Sequence, residues 1–218
     1  MVPEINGKLE NRMIKVPEEI EQVCGIKIFG KLIRAVVFST DIAIIRNVNA
    51  DAVIAVYPFP AQPIITQAIM MAADIPIFMG VGGGTTKGQR AVNMAMQAEY
   101  QGARGVVLNA PIENDVLFEI HNIIDIPIIV TICVEDMNEV AKRLESHVSI
   151  LNVSAAEKTP QIVAKIKLKF PHAAVVATGG PTKETILATI EAGADAISWT
   201  PPTTGQIFKN IMNGYRNM

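Results

Sequence analysis

The sequence predicts one α/β domain, a single (β/α)8 TIM barrel with a short N-terminal extension, spanning residues 1–218. Three observations predict it. Apolar runs of strand length alternate with helical patterns eight times. The runs are continuous rather than alternating, as expected of parallel strands buried on both faces. The same turn sequences recur at the same point of the βα unit, and no linker rich in Pro, Gly or Ser divides the chain. A doubly wound open sheet is the alternative, but eight tandem βα units favour a closed barrel.

Residues 1–30 form the extension, read as a cap segment for the N-terminal barrel face or a contact to a second subunit. Within it, Pro17 to Cys24 predicts a short helix, with Pro17 in its first turn and Glu18 and Glu19 at its positive end. Strand one is Ile33 to Ser39, followed by a helical piece from Asp41 to Asn47. Ala52 to Tyr57 is strand two, with a helix inside Pro63 to Ala73. Ile75 to Val81 is strand three, and its helix runs from Lys87 to Tyr100 with Ala91, Met94, Ala95 and Ala98 on one face. Thr86 and Gln89 have the spacing of a capping box.

Val106 to Asn109 is strand four, with Asp115 to Asn122 its helix, and Ile126 to Cys133 is strand five. Val148 to Val153 is strand six, after which Thr159 is placed as a helix cap with Pro160 in first position. Ala173 to Ala177 is strand seven, followed by Lys183 to Ala192. Ala196 to Trp199 is strand eight, followed by Gly205 to Tyr215. Repeats support the register. Asn49-Ala50-Asp51-Ala52 precedes strand two as Gly193-Ala194-Asp195-Ala196 precedes strand eight. Asp74-Ile75-Pro76-Ile77 and Asp125-Ile126-Pro127-Ile128 open strands three and five.

Composition narrows the function classes. Half of the residues are hydrophobic and the net charge is -2. There is no broad basic stripe, which argues against nucleic acid as a partner. No apolar run reaches membrane-spanning length, and Met1 to Lys15 lacks a signal-peptide core. The expected setting is cytoplasmic. Cys24 and Cys133 are too few for a disulfide framework or zinc cluster, and the three histidines show no metal-ligand spacing. No metal site and no cofactor are predicted, although a divalent metal would suit a hydrolytic reading if Asp41, Glu113 and Glu135 converged. The methionine-rich, apolar content and the extension point to a homo-oligomer.

Barrel ligands sit at the C-terminal ends of the strands. The sharpest signal there is Thr178-Gly179-Gly180 after strand seven, where glycines let the backbone turn tightly and present N–H groups to an anion. Thr200, Thr203 and Thr204 add hydroxyls near the start of the last helix. The run Gly82-Gly83-Gly84 with Lys87 is neither a P-loop nor a dinucleotide fingerprint, and reads as an anion loop or lid. The acid–base candidates are Glu157 and Glu113, with Asn152 and Asn109 as orienting amides. Cys133 has no partner visible in sequence and reads as a small buried side chain.

Between Val148 and Thr200 the chain resembles the ketodeoxyphosphogluconate aldolase group of phosphate-binding barrels. Leu151-Asn152-Val153-Ser154-Ala155-Ala156-Glu157 can be laid on that group's strand-six motif, and Thr178-Gly179-Gly180 on the end of its strand seven. The resemblance implies phosphate binding at the Gly-Gly turn. It also shows a departure, because the group's Schiff-base lysine falls on Asn152, and an amide cannot form that imine. The expectation is a metabolic enzyme taking a small phosphorylated or carboxylated, anionic metabolite. It would use acid–base lyase or isomerase chemistry without a Schiff base. The alternatives are a non-catalytic metabolite-binding or regulatory barrel, and a hydrolase using carboxylate-activated water.

Overall fold

The computed structural model describes residues 13–216, so the first twelve residues of the expected cap segment lie outside the described residues. Eight parallel strands close a barrel in chain order: β3 (Ala35–Phe38), β4 (Ala52–Ala55), β5 (Ile77–Gly82), β6 (Gly105–Leu108), β7 (Ile128–Ile132), β8 (Ile150–Val153), β9 (Ala174–Thr178) and β10 (Ala196–Trp199). The predicted (β/α)8 architecture is therefore the observed one. The alternating helices are α1 (Ile42–Arg46), α2 (Pro63–Ala72), α3 (Gln89–Tyr100), α4 (Asn114–His121), α5 (Met137–Glu145), α6 (Thr159–Lys169), α7 (Lys183–Glu191) and α8 (Thr204–Arg216).

Two cores explain why the strand sequences are apolar at nearly every position short of their C-terminal ends. Val36, Ile54, Phe78, Val107, Ile129, Ile150, Val176 and Ala196 fill the barrel interior. Their neighbours in sequence, among them Val37, Val53, Met79, Leu108, Val130 and Leu151, pack outward against the helices. A side-chain period of two then places most strand residues alternately in one core or the other. Burying each large aliphatic side chain is worth roughly 1.5–3 kcal/mol, so interior and exterior layers both hold the closed sheet together.

The recurring turns do a specific job at the N-terminal end of the barrel. Asp51 Oδ2 accepts from Arg34 N and Ala35 N at 2.8 and 2.9 Å, and Asp195 Oδ2 accepts from Val175 N at 2.8 Å. Each aspartate thus satisfies the first amides of the preceding strand, which have no ladder partner. Lys167 donates to Asp195 at 2.6 Å and completes that site. The Ile-Pro repeats work through carbonyls: Val53 N donates to Pro76 O and Val106 N to Pro127 O, both at 2.9 Å. Proline at a strand start has no ladder donor to lose.

The N-terminal region departs from the sequence reading. Pro17 to Cys24 holds a 3-10 turn, Glu18–Gln22, rather than an α-helix, and Glu19 pairs with Lys183 of α7 at 2.7 Å. Strand one does not begin at Ile33. Instead β1 (Ile26–Ile28) and β2 (Lys31–Ile33) form an antiparallel hairpin. Its two turn residues, Phe29 and Gly30, both have positive φ (45° and 83°), as the favoured two-residue hairpin turn requires. Ile28 and Ile33 join the interior core, so this hairpin plugs the N-terminal end of the barrel.

Two cap assignments are also corrected. Thr86 does not cap α3: its hydroxyl accepts from Ala61 N at 2.9 Å, and Gly88 occupies the cap position without a side-chain bond. Thr159 lies inside α6, after a 3-10 turn at Ala156–Lys158, and its hydroxyl accepts from Ala155 N at 3.0 Å. Among the described residues no helix is long and apolar enough to cross a membrane.

Candidate functional site

Two residues beyond the interior core, each strand presents a side chain at the C-terminal mouth. Continuing the alternation gives Phe38, Val56, Gly80, Asn109, Thr131, Asn152, Thr178 and Ser198 as the inward-facing layer. This layer contains no acid, no base and no cation. Its polar members sit on β6 to β10, while Phe38, Val56 and Gly80 form an apolar side. In the sheet register Thr131 lies beside Asn152.

Asn152 stands out. It is 9% exposed, and its Nδ2 donates to Thr131 Oγ1 at 3.3 Å. Its Oδ1 is buried and receives no hydrogen bond from any described protein group. Asn109 is half-buried on the other side of Thr131. It lines a cavity of about 150 Å3 with Val56, Tyr57, Phe59, Gly80, Gly84 and Thr86. The loop over this cavity is pinned at both ends: Gln62 N donates to Tyr57 Oη at 2.9 Å, and Ala61 N to Thr86.

The glycine run packs beneath that loop. Gly83 has φ of +88°, its N donates to Thr86 O at 3.0 Å, and Asn109 N donates to Gly82 O at 3.0 Å. A Cβ at Gly82 would stand 2.7 Å from Ala91 Cβ of α3. These two glycines thus let the β5–α3 turn sit between α3 and the Asn109 backbone. Gly84 and Lys87 are exposed.

The Thr178-Gly179-Gly180 turn opens on a separate cavity of about 430 Å3 between α6 and α7, lined also by Glu157, Glu184 and Thr185. Here too the glycines have packing reasons. A Cβ at Gly179 would meet Ile197 Cγ2 at 2.7 Å, and one at Gly180 would meet Thr185 Oγ1 at 2.5 Å. Thr185 belongs to a capping box with Thr182 at the start of α7. The Glu184 carboxyl is held below its ordinary range, chiefly by backbone hydrogen bonding at the helix start and the Thr182 hydroxyl. Carboxylates, not cations, therefore border this turn.

The other predicted residues are spread over the face. Thr203 exchanges hydrogen bonds with Gln206, its N donating to Gln206 Oε1 at 2.8 Å, while Thr200 is exposed. Thr204 Oγ1 donates to Asp41 Oδ2. Glu113 is exposed at the cap position of α4 without making a cap bond. Cys133 is exposed rather than buried, because it lies beyond the end of β7. The three carboxylates weighed for a metal do not converge. Asp41 caps α1 through Ala43 N and Ile44 N, and Glu135 pairs with Lys165 and Gln161. Among the described residues no three His, Cys, Asp or Glu side chains are grouped to hold a metal.

Arg143 of α5 has no forewarning in the sequence. It is buried, donating to Asn114 Oδ1 at 2.9 Å and to Ala110 O at 2.8 Å. Its Nε lies 3.0 Å from Glu139 Oε1, close enough for an ion pair although not aligned for a hydrogen bond. Burial lowers its pKa and the Glu139 charge opposes that shift. Arg143 thereby fixes the β6–α4 loop that follows Asn109. Its two hydrogen-bond acceptors are 29 and 33 residues away, so no local pattern could have announced these contacts.

No family model and no curated protein sequence matches the chain. Solved structures match its fold. A protein from Burkholderia cenocepacia J2315 described as a phosphonomutase has a TM-score of 0.67 at 15% identity, covering 84% of this chain and 92% of that one. Phosphonopyruvate hydrolase in complex with oxalate and magnesium has a TM-score of 0.62 at 11% identity, over 84% and 79% of the two chains. The glycerol uptake operon antiterminator regulatory protein from Listeria monocytogenes str. 4b F2365 has 0.61 at 14% identity, over 76% and 90%. At such identities the likeness is one of fold. That fold serves enzymes and a regulatory protein alike.

Proposed function

We propose that this chain is a metabolite-binding barrel whose ligand enters the C-terminal mouth and rests against Asn109, Thr131 and Asn152. The observation that supports it most directly is the chemistry of the inward-facing layer. It offers hydrogen bonds but no group able to shuttle a proton at neutral pH, so it suits recognition better than acid–base lyase or isomerase work. On the resemblance to the aldolase group, Asn152 takes the place of the lysine that imine chemistry would need. The antiterminator regulatory protein is a precedent for this fold outside catalysis.

The second reading is an enzyme in which Glu157 acts from the 3-10 turn. It is favoured by Glu157 lining one cavity with Thr178, Gly179 and Gly180. Phosphonopyruvate hydrolase, with oxalate and magnesium, is a precedent for a small carboxylate and a metal in this fold. In this chain Asp41 and Glu135 are engaged in structural bonds.

A panel of small hydroxylated, carboxylated and phosphorylated metabolites separates the readings. Thermal stabilisation and compound loss by mass spectrometry are followed on the same samples. A ligand at 100 times its dissociation constant adds about 2.7 kcal/mol. The expected result is stabilisation without turnover, abolished by Asn109→Ala. Turnover that disappears in Glu157→Gln would establish the enzyme instead.

A further inference from the structure

We infer that the end of the ligand reaching the barrel floor is uncharged and hydroxyl-bearing, and that the Asn152 side-chain amide receives it. This rests on the mouth being the ligand site, and adds the chemistry of what enters. Below Asn152 on the same strand, and on the strands around it, the inward layer is entirely apolar: Ile150, Ile129, Val176 and Val107. An aliphatic residue at position 152 would extend that core, and asparagine is a poor strand former. A buried acceptor left without a donor costs stability. Asn152 is nine-tenths buried and its Oδ1 has no donor among the described residues, so that end of the amide does not serve the fold.

The surroundings fix the class. Thr131, Thr178 and Ser198 are the inward neighbours toward β7, β9 and β10, and all three are hydroxyls. An anion at that depth would lack a counter-charge, and so would a cation. With Nδ2 on Thr131, the free end of the amide accepts a hydrogen bond. With the amide turned over, the free end donates. A hydroxyl satisfies either arrangement, whereas an ammonium or a carboxylate satisfies one. The ligand class is therefore a polyol, a sugar or a hydroxylated carbonyl compound, entering hydroxyl first.

The test uses full-length protein labelled with 15N-asparagine. The Asn152 side-chain signals are assigned from Asn152→Leu, and exposed Asn138 is the solvent reference. Glycerol and D-ribose are titrated separately, and phosphate and acetate are titrated at matched ionic strength. Saturable movement of Asn152 with either polyol, beyond any change at Asn138, is the expected result, with no response to the anions. Movement with phosphate or acetate, or no movement with both polyols, overturns the inference. Response at Asn109 with Asn152 silent would retain the mouth as ligand site and remove this inference alone. Silence at both residues with every probe would remove the two together. The Asn152→Leu protein supplies an independent reading: its Tm should equal or exceed that of the parent. A Tm several degrees lower would show that Asn152 serves the fold, and would overturn the assignment.

Discussion

Gly83 lies directly on the backbone of Asn109. A Cβ at Gly83 would come within 2.9 Å of the Asn109 carbonyl carbon and closer still to its N and O. The position also has φ of +88°, a region that costs a side-chain-bearing residue about 1–3 kcal/mol. Strain and collision act together, so Gly83→Ala should lower stability by roughly 2–4 kcal/mol. Gly84 is the control, since a Cβ there would meet only Asn109 Nδ2, at 4.0 Å. Urea denaturation of both variants checks this. Equal midpoints for the two would mean that the turn is free to move as a lid.

Arg143 should prove essential to the same loop. Its two neutral acceptors and Glu139 are all engaged by one planar fork, which a lysine cannot reproduce. Arg143→Met should cost about 2–4 kcal/mol, because Asn114 and the Ala110 carbonyl lose their donor in a mostly buried setting. Arg143→Lys should recover less than half of that loss. Full recovery by lysine would reduce the role of Arg143 to a point charge. The same two variants should weaken ligand binding at Asn109 if the loop's position matters to the mouth.

Much of the barrel was legible because burial on both faces leaves a plain mark. Runs such as Ile128 to Ile132 are apolar at both parities apart from Thr131, which is the residue that turns toward the mouth. The N-terminal hairpin was not legible for the same reason. Ile33 shares the apolar character of β3 and so reads as part of strand one, while Ile26 and Ile28 fall in the mixed extension; the hairpin that pairs them turns on the positive φ pair at Phe29 and Gly30. Thr86 and Gln89 carried a capping-box spacing, yet the Thr86 hydroxyl answers an amide 25 residues earlier. Residues at strand ends could be placed on the ligand face from the sequence. Which of them turn inward depends on register, and so Thr131 and Ser198, although readable as strand-end residues, are not singled out beside Asn152.

A second copy of the chain is the proposed cover for α2. Its ten residues, Pro63 to Ala72, include no charged side chain, yet Ile64 is 68% and Met71 81% exposed. A helix apolar on all sides belongs in an interior, and an uncharged face is compatible with itself across a two-fold axis. Size-exclusion chromatography with light scattering should therefore find an oligomer, and Ile64→Glu with Met71→Glu should shift it to monomer with the fold intact. A monomeric parent protein at tens of micromolar, on the order of working concentrations for weak dimers, would discard the idea.

Asp41 ties the first and last βα units together, and this link should be sensitive to acid. Its carboxyl is held below the ordinary value of 3.8, first by the Thr204 hydroxyl and then by the Ile44 and Ala43 amides, with burial opposing. A depressed folded-state pKa means the carboxylate stabilises the fold above the unfolded value and loses that contribution as pH falls through the folded one. At pH 7 Asp41→Ala should cost about 1 kcal/mol as a lost helix cap, with the tether to α8 lost as well. Asp41→Asn keeps a capping oxygen but removes the charge, so its deficit against the parent should be smaller. That deficit should begin to narrow as pH drops below 3.8, where the unfolded chain takes up the proton first, and close as pH falls through the lower folded-state value, where the parent's carboxyl also becomes neutral. Melting curves of the parent and Asp41→Asn from pH 7 to pH 3 check the sign. A gap that stays constant, or widens in acid, would show that the Asp41–Thr204 bond does not depend on the carboxylate charge.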